Sequence, residues 1–69
     1  MTETQKKAFK KNVGKLLIDK EMKQLDLARA IGCSESMTNH VINGTKEPPF
    51  KMILAISEAL GVTGDDLIK

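Results

Sequence analysis

An all-α fold of five short helices is predicted by three features of the 69-residue sequence. Apolar residues recur at three- and four-residue spacing, the period of a one-sided helix. Leu, Ile, Ala, Lys and Glu are plentiful, whereas the aromatic residues are only Phe9 and Phe50. Turn formers at Gly32, Asn43-Gly44, Pro48-Pro49, Gly61 and Gly64 cut the chain into short segments.

The length allows one domain, residues 1–69, with residues 1–5 expected to be flexible. A chain this short has a small core. One cysteine, Cys33, permits no internal disulfide, and one histidine, His40, cannot complete a zinc set. No apolar run approaches a membrane span, and the N-terminus lacks a signal-peptide core, so a cytoplasmic setting with no membrane partner is expected. No phosphate loop, nucleophile motif or acid–base pair is present. An enzyme is therefore not expected, nor any cofactor, metal ion or small-molecule ligand.

The first segment runs from about Thr4 to Lys20. Phe9, Val13, Leu16, Leu17 and Lys20 follow one helix face, with Ile18 outside it. Residues 1–20 carry six lysines against Glu3 and Asp19; residues 21–69 carry five bases against seven acids. This asymmetry suits an anionic partner near the first helix, and equally a solvated lysine face.

The second segment is Gln24–Ile31, with Leu27, Ala28 and Ile31 on one side. Gly32 stops it and Ser34 caps the next helix. Helices joined by so few residues must cross steeply, which is helix-turn-helix geometry.

The third segment, Glu35–Asn43, sorts its residues completely. Glu35, Ser36, Asn39, His40 and Asn43 fall within an arc of about 140°, and Met37, Thr38, Val41 and Ile42 fill the opposite side. Surface helices usually carry Lys and Glu outward. A face of Ser, Asn and His suits hydrogen bonding to base edges in a groove.

The fourth helix is expected over about Pro49 to Leu60, with Phe50, Ile53, Leu54, Ile56 and Leu60 as core, ended by Gly61. Thr63 caps a last short helix, Gly64–Ile68, whose first turn holds Asp65 and Asp66. Met22, Met37 and Met52 stand at core positions.

Several stretches resemble one family. Gln24-Leu25-Asp26-Leu27-Ala28 is similar to the opening of the second helix in Cro/CI-type (XRE family) regulators. Gly32-Cys33-Ser34 resembles that family's turn, and Asn43-Gly44 followed by Pro48 resembles its exit. Ala59-Leu60-Gly61-Val62 with Asp65-Asp66-Leu67 resembles its ending. The match spans about Asn12 to Ile68. It implies a five-helix lambda-repressor-like DNA-binding domain whose third helix enters the major groove and whose second crosses the backbone. Carried onto matching positions, Ser34, Glu35, Ser36, Asn39 and His40 would face base edges. Gln24, Asn43, Thr45 and Lys46 would lie near phosphates.

The sequence also departs from that pattern. Relatives often pair Arg with Glu where this chain has Leu17 and Ile42, an exchange of an ion pair for an apolar pair that predicts packing of Leu17 against Ile42. Thr38 replaces an aliphatic residue, and its hydroxyl is expected to bond back one turn. The third helix holds no Arg or Lys, and Glu35 is suited to cytosine N4 but not to guanine. Phosphate attraction then falls to Lys46 and the lysines of the first helix.

Two functions follow. One is a small Cro-like phage or bacterial repressor that binds double-stranded operator DNA, as a homodimer formed near Leu67 and Ile68. The other is a modulator that docks on a partner repressor protein through Leu25, Glu35, Ser36 and Asn39. His40 as a pH switch and Cys33 as a redox sensor are the sharper alternatives to a polar surface residue and a small turn residue.

Overall fold

The computed structural model describes residues 1–69 as five helices and no strands: α1 (Glu3–Asp19), α2 (Gln24–Ile31), α3 (Glu35–Ile42), α4 (Phe50–Leu60) and α5 (Gly64–Ile68). The expected limits hold for α2 and α5; α1 and α3 end a residue earlier, and both prolines precede α4. Residues 3–5, expected to be loose, form the first turn of α1. The reason is a capping box: the Gln5 amide donates to the Thr2 hydroxyl at 3.1 Å, and Gln5 Oε1 accepts from the Thr2 amide at 2.9 Å.

Each of the first four helices closes the same way. An amide two or three residues beyond the helix end reaches back five positions: Met22 to Leu17, Cys33 to Ala28, Thr45 to His40 and Val62 to Ser57. This closure needs one left-handed residue. Gly32, Gly44 and Gly61 supply it in α2, α3 and α4, and Glu21, at φ 55°, supplies it after α1.

Phe9, Val13 and Leu17 of α1 meet Leu27 of α2, Val41 and Ile42 of α3, Met52, Ile56 and Leu60 of α4, and Leu67 of α5 in one buried cluster. Leu17 and Ile42 both belong to it, as the apolar exchange predicts. Thr38 is fully buried among them, and its hydroxyl donates to the Ser34 carbonyl at 2.9 Å, so its polarity is satisfied one turn back. Met22, Met37 and Cys33 are half-buried against the cluster. Lys20, placed on the core face by its spacing, lies past the end of α1 and is exposed.

The expected core of α4 needs correction. Met52, Ile56 and Leu60, spaced four apart, form its buried line. Phe50 and Leu54, also four apart, fall on the neighbouring line and are 76% and 46% exposed. With Ile53, Thr63, Gly64, Asp65, Ile68 and Met1 they line a shallow, mostly apolar groove of about 380 Å³. Leu67, expected near a surface for association, is fully buried; only Ile68 reaches this groove.

One long-range tie completes the fold. The Asn12 side-chain amide donates to the carbonyls of Asp66, Leu67 and Lys69 at 3.2, 3.0 and 3.1 Å. It takes up carbonyls at the end of α5 that have no partner within the helix.

Candidate nucleic-acid interface

The geometry of α3 starts at its cap. Ser34 is extended and its hydroxyl accepts from the Met37 amide at 3.0 Å, which starts the helix directly after the turn at Gly32. From there Thr38, Val41 and Ile42 are drawn into the core, which forces Glu35, Ser36, Asn39 and His40 outward. These four line one shallow polar depression with no apolar residue in it. Ser34, expected beside them, is engaged at the cap instead and does not line the depression.

A row of amides holds Asn39 in place. Asn39 Nδ2 donates to Gln24 Oε1 at 3.2 Å, which joins the start of α2 to α3. Asn43 Nδ2 donates to Asn39 Oδ1 at 2.6 Å. A primary amide has two hydrogens and two lone pairs. Asn39 therefore keeps one donor and one acceptor free on an oriented plane, the combination a bidentate contact to adenine requires.

His40 is fixed by the turn that follows it. The Thr45 hydroxyl donates to the His40 carbonyl at 3.0 Å, and the ring Nδ1 lies 3.0 Å from the same oxygen. A hydroxyl has a single proton. With that proton on the carbonyl, the Thr45 oxygen must accept from Nδ1–H, and Nε2 of the neutral ring is left as an acceptor. The Thr45 side chain, expected at a phosphate, is thus committed to His40.

The other expected phosphate residues differ in exposure and in what they bond to. Gln24 is half-buried and bonded to Asn39, whereas Lys46 is exposed and unpaired. Glu47, next to it, is paired with the Met1 amino group; that hydrogen bond above all, with help from Lys6, holds its carboxyl below the ordinary 4.5.

A basic cleft lies at the far end of α3, where Asn43 and lysines of the first helix, both expected near phosphates, come together. Lys6, Lys7 and Lys10 of α1, with Glu3, face Asn43 and Gly44. The excess of lysine in the first twenty residues signals it, but its position beside α3 depends on the packing of α1. Leu25, on the outer side of α2, is 38% exposed. No group of side chains is arranged to hold a metal ion, and no helix is long and apolar enough to cross a membrane.

The sequence model of the Cro/C1-type HTH DNA-binding domain matches residues 12–69. No curated protein and no solved structure matches the chain.

Proposed function

This chain belongs to the Cro/C1-type helix-turn-helix DNA-binding family, and from that premise we propose that it is a sequence-specific transcriptional repressor of the small Cro-like kind, phage or bacterial and acting in the cytoplasm. It inserts α3 into the major groove of its operator. The observation that carries this reading is the exposed row Glu35, Ser36, Asn39 and His40, polar and held by hydrogen bonds, on a helix whose opposite side is buried. Asn39 suits adenine; Glu35 and the free His40 acceptor suit the amino groups of cytosine or adenine. Gln24, Asn43, Thr45 and Lys46 border the row, with Lys46 and the amides nearest in chemistry to phosphate contacts; Ser34 acts through the cap.

A helix of eight residues reads few base pairs, so a homodimer with two half-sites about one turn of DNA apart is part of the proposal. Phe50 and the groove beside it supply both knob and hole on each copy, which suits a two-fold contact between identical surfaces.

Binding to duplexes that tile the DNA flanking the gene, measured across a salt series, tests the proposal. Operator binding should weaken steeply with salt. Absence of binding at low salt would sink it. Glu35→Gln should shift base preference at one position of each half-site while leaving the salt slope unchanged.

A second reading rests on Leu25. Its exposure next to Gln24, which bonds to Asn39, together with Glu35 and Ser36 on a helix α3 without Arg or Lys, favours docking on a partner repressor protein. That reading expects tight, weakly salt-dependent binding to the partner, abolished by Leu25→Asp.

A further inference from the structure

We propose that Lys7 and Lys10 of α1 are a phosphate-contacting extension of the DNA interface, gripping the backbone that flanks the end of α3. The inference rests on the DNA-binding reading above and adds a surface to it. Both lysines lie outside residues 12–69, the part of the chain that the family match covers.

Three observations place them. First, α1 divides its circumference. Phe9, Val13 and Leu17 face the core, Asn12 bonds to the end of α5 on one flank, and Lys6, Lys7 and Lys10 line the cleft on the other. Second, that cleft continues the polar row of α3. Asn43 belongs to both, through its bond to Asn39 and its place opposite the lysines. The Lys6 stem lies over Gly44, its Cβ and Cδ 3.9 Å from where a Cβ at residue 44 would stand, so the two elements touch. Third, the charge is unspent. The ion pairs of the chain are Lys6 with Glu3 at 3.8 Å and the Met1 amino group with Glu47; Lys7 and Lys10 take part in neither. Since α3 itself carries no Arg or Lys, Lys7 and Lys10 join Lys46 as unpaired lysines beside its far end, free to meet an anion.

The test is the salt dependence of binding to a mixed-sequence 24-base-pair duplex, because phosphate contacts are independent of sequence. Each phosphate contact contributes about 0.9 to the slope of log affinity against log salt. The double variant Lys7→Gln/Lys10→Gln should lower the slope by about 1.8 relative to the unaltered chain. Lys15→Gln/Lys69→Gln removes the same net charge elsewhere and should leave the slope within about 0.5 of its original value. Glutamine keeps helix propensity, and circular dichroism checks that both variants fold. Equal slopes for the two double variants would overturn the proposal and reduce the lysines to a solvated face. Failure of the unaltered chain to bind the duplex at low salt would overturn both this proposal and the DNA-binding reading beneath it.

Discussion

The Thr45 hydroxyl oxygen lies at hydrogen-bonding distance from both the carbonyl oxygen and the ring Nδ1 of His40. It gives its one proton to the His40 carbonyl at 3.0 Å and meets the ring Nδ1 at 3.0 Å, so Nδ1 must donate and Nε2 is the remaining acceptor. Thr45→Val keeps the shape of the side chain and removes both bonds. In nitrogen-15 spectra of the neutral imidazole, the protonated nitrogen should move from Nδ1 to Nε2 in a large share of molecules. DNA affinity should fall about fivefold, the effect of one modest hydrogen bond. An Nε2-protonated ring in the unaltered chain would rule the assignment out.

Glu21 occupies the one left-handed position that is not glycine, at φ 55°. A side chain in that conformation costs about 1–2 kcal/mol, and glycine loses about 0.5–1 kcal/mol of chain entropy on folding. Glu21→Gly should therefore stabilise the domain by roughly 0.5–1 kcal/mol. For a chain of this size that is a rise of about 2–8 °C in Tm. Glu21→Ala, which keeps the Cβ, should bring no such gain, and thermal melts of the three proteins decide the matter.

Asn12 bonds to three carbonyls at the end of α5. Asn12→Ala should cost about 1 kcal/mol, seen as a lower midpoint in urea, because the carbonyls are partly exposed and water replaces some of what is lost. Asn12→Asp should cost more than Asn12→Ala, since it sets a carboxylate against three carbonyl oxygens. An aspartate variant as stable as the alanine one would show that the tie carries little.

These features mark where sequence pattern stops. The limits of α2 and α5 were legible because Gly32, Ser34 and Thr63 have local signatures at helix ends. The sorted face of α3 was legible because its residues are neighbours on one helix. Glu21 gave no signal, since glutamate is an ordinary helix surface residue. The Asn12 tie joins residues more than fifty apart, and Gln24–Asn39 joins two helices. Phe50 misled for a different reason. Two apolar lines, Met52–Ile56–Leu60 and Phe50–Leu54, both have helical spacing, and only packing against α2 and α5 decides which is buried. The lysine cleft was half legible: the charge was plain, its neighbour was not.

Asp66 closes the capping box of α5. Its carboxylate accepts from the Thr63 amide at 3.1 Å, and its own amide donates to the Thr63 hydroxyl at 3.2 Å. The bonds from Thr63 hold its carboxyl below the ordinary 3.8, outweighing a small opposing effect of burial, with Lys69 assisting. A carboxyl lowered in the folded state stabilises above its unfolded value and loses that contribution as pH falls through the folded one. Asp66→Asn keeps an acceptor and removes the charge. The unaltered chain should melt higher than this variant near neutral pH, and the gap should close as pH falls below about 3.8. A gap that persists at about pH 2 would mean that the charge is not its source.

Phe50 separates association from folding. It is 76% exposed, so Phe50→Ser removes almost nothing from the core, and the monomer should keep its stability within about 0.5 kcal/mol. By contrast Ile56→Ala, at a fully buried position, should cost about 2–5 kcal/mol. If two copies pair by placing each Phe50 in the other's groove, sedimentation equilibrium should show a dimer for the unaltered chain and a monomer for Phe50→Ser. Operator affinity should drop by at least tenfold with the base preference unchanged, because each half-site is then bound alone. A variant that remains dimeric would place the contact elsewhere. An unaltered chain that is monomeric both free and on its operator would remove the dimer from the proposed function and leave the α3 interface to be judged by itself.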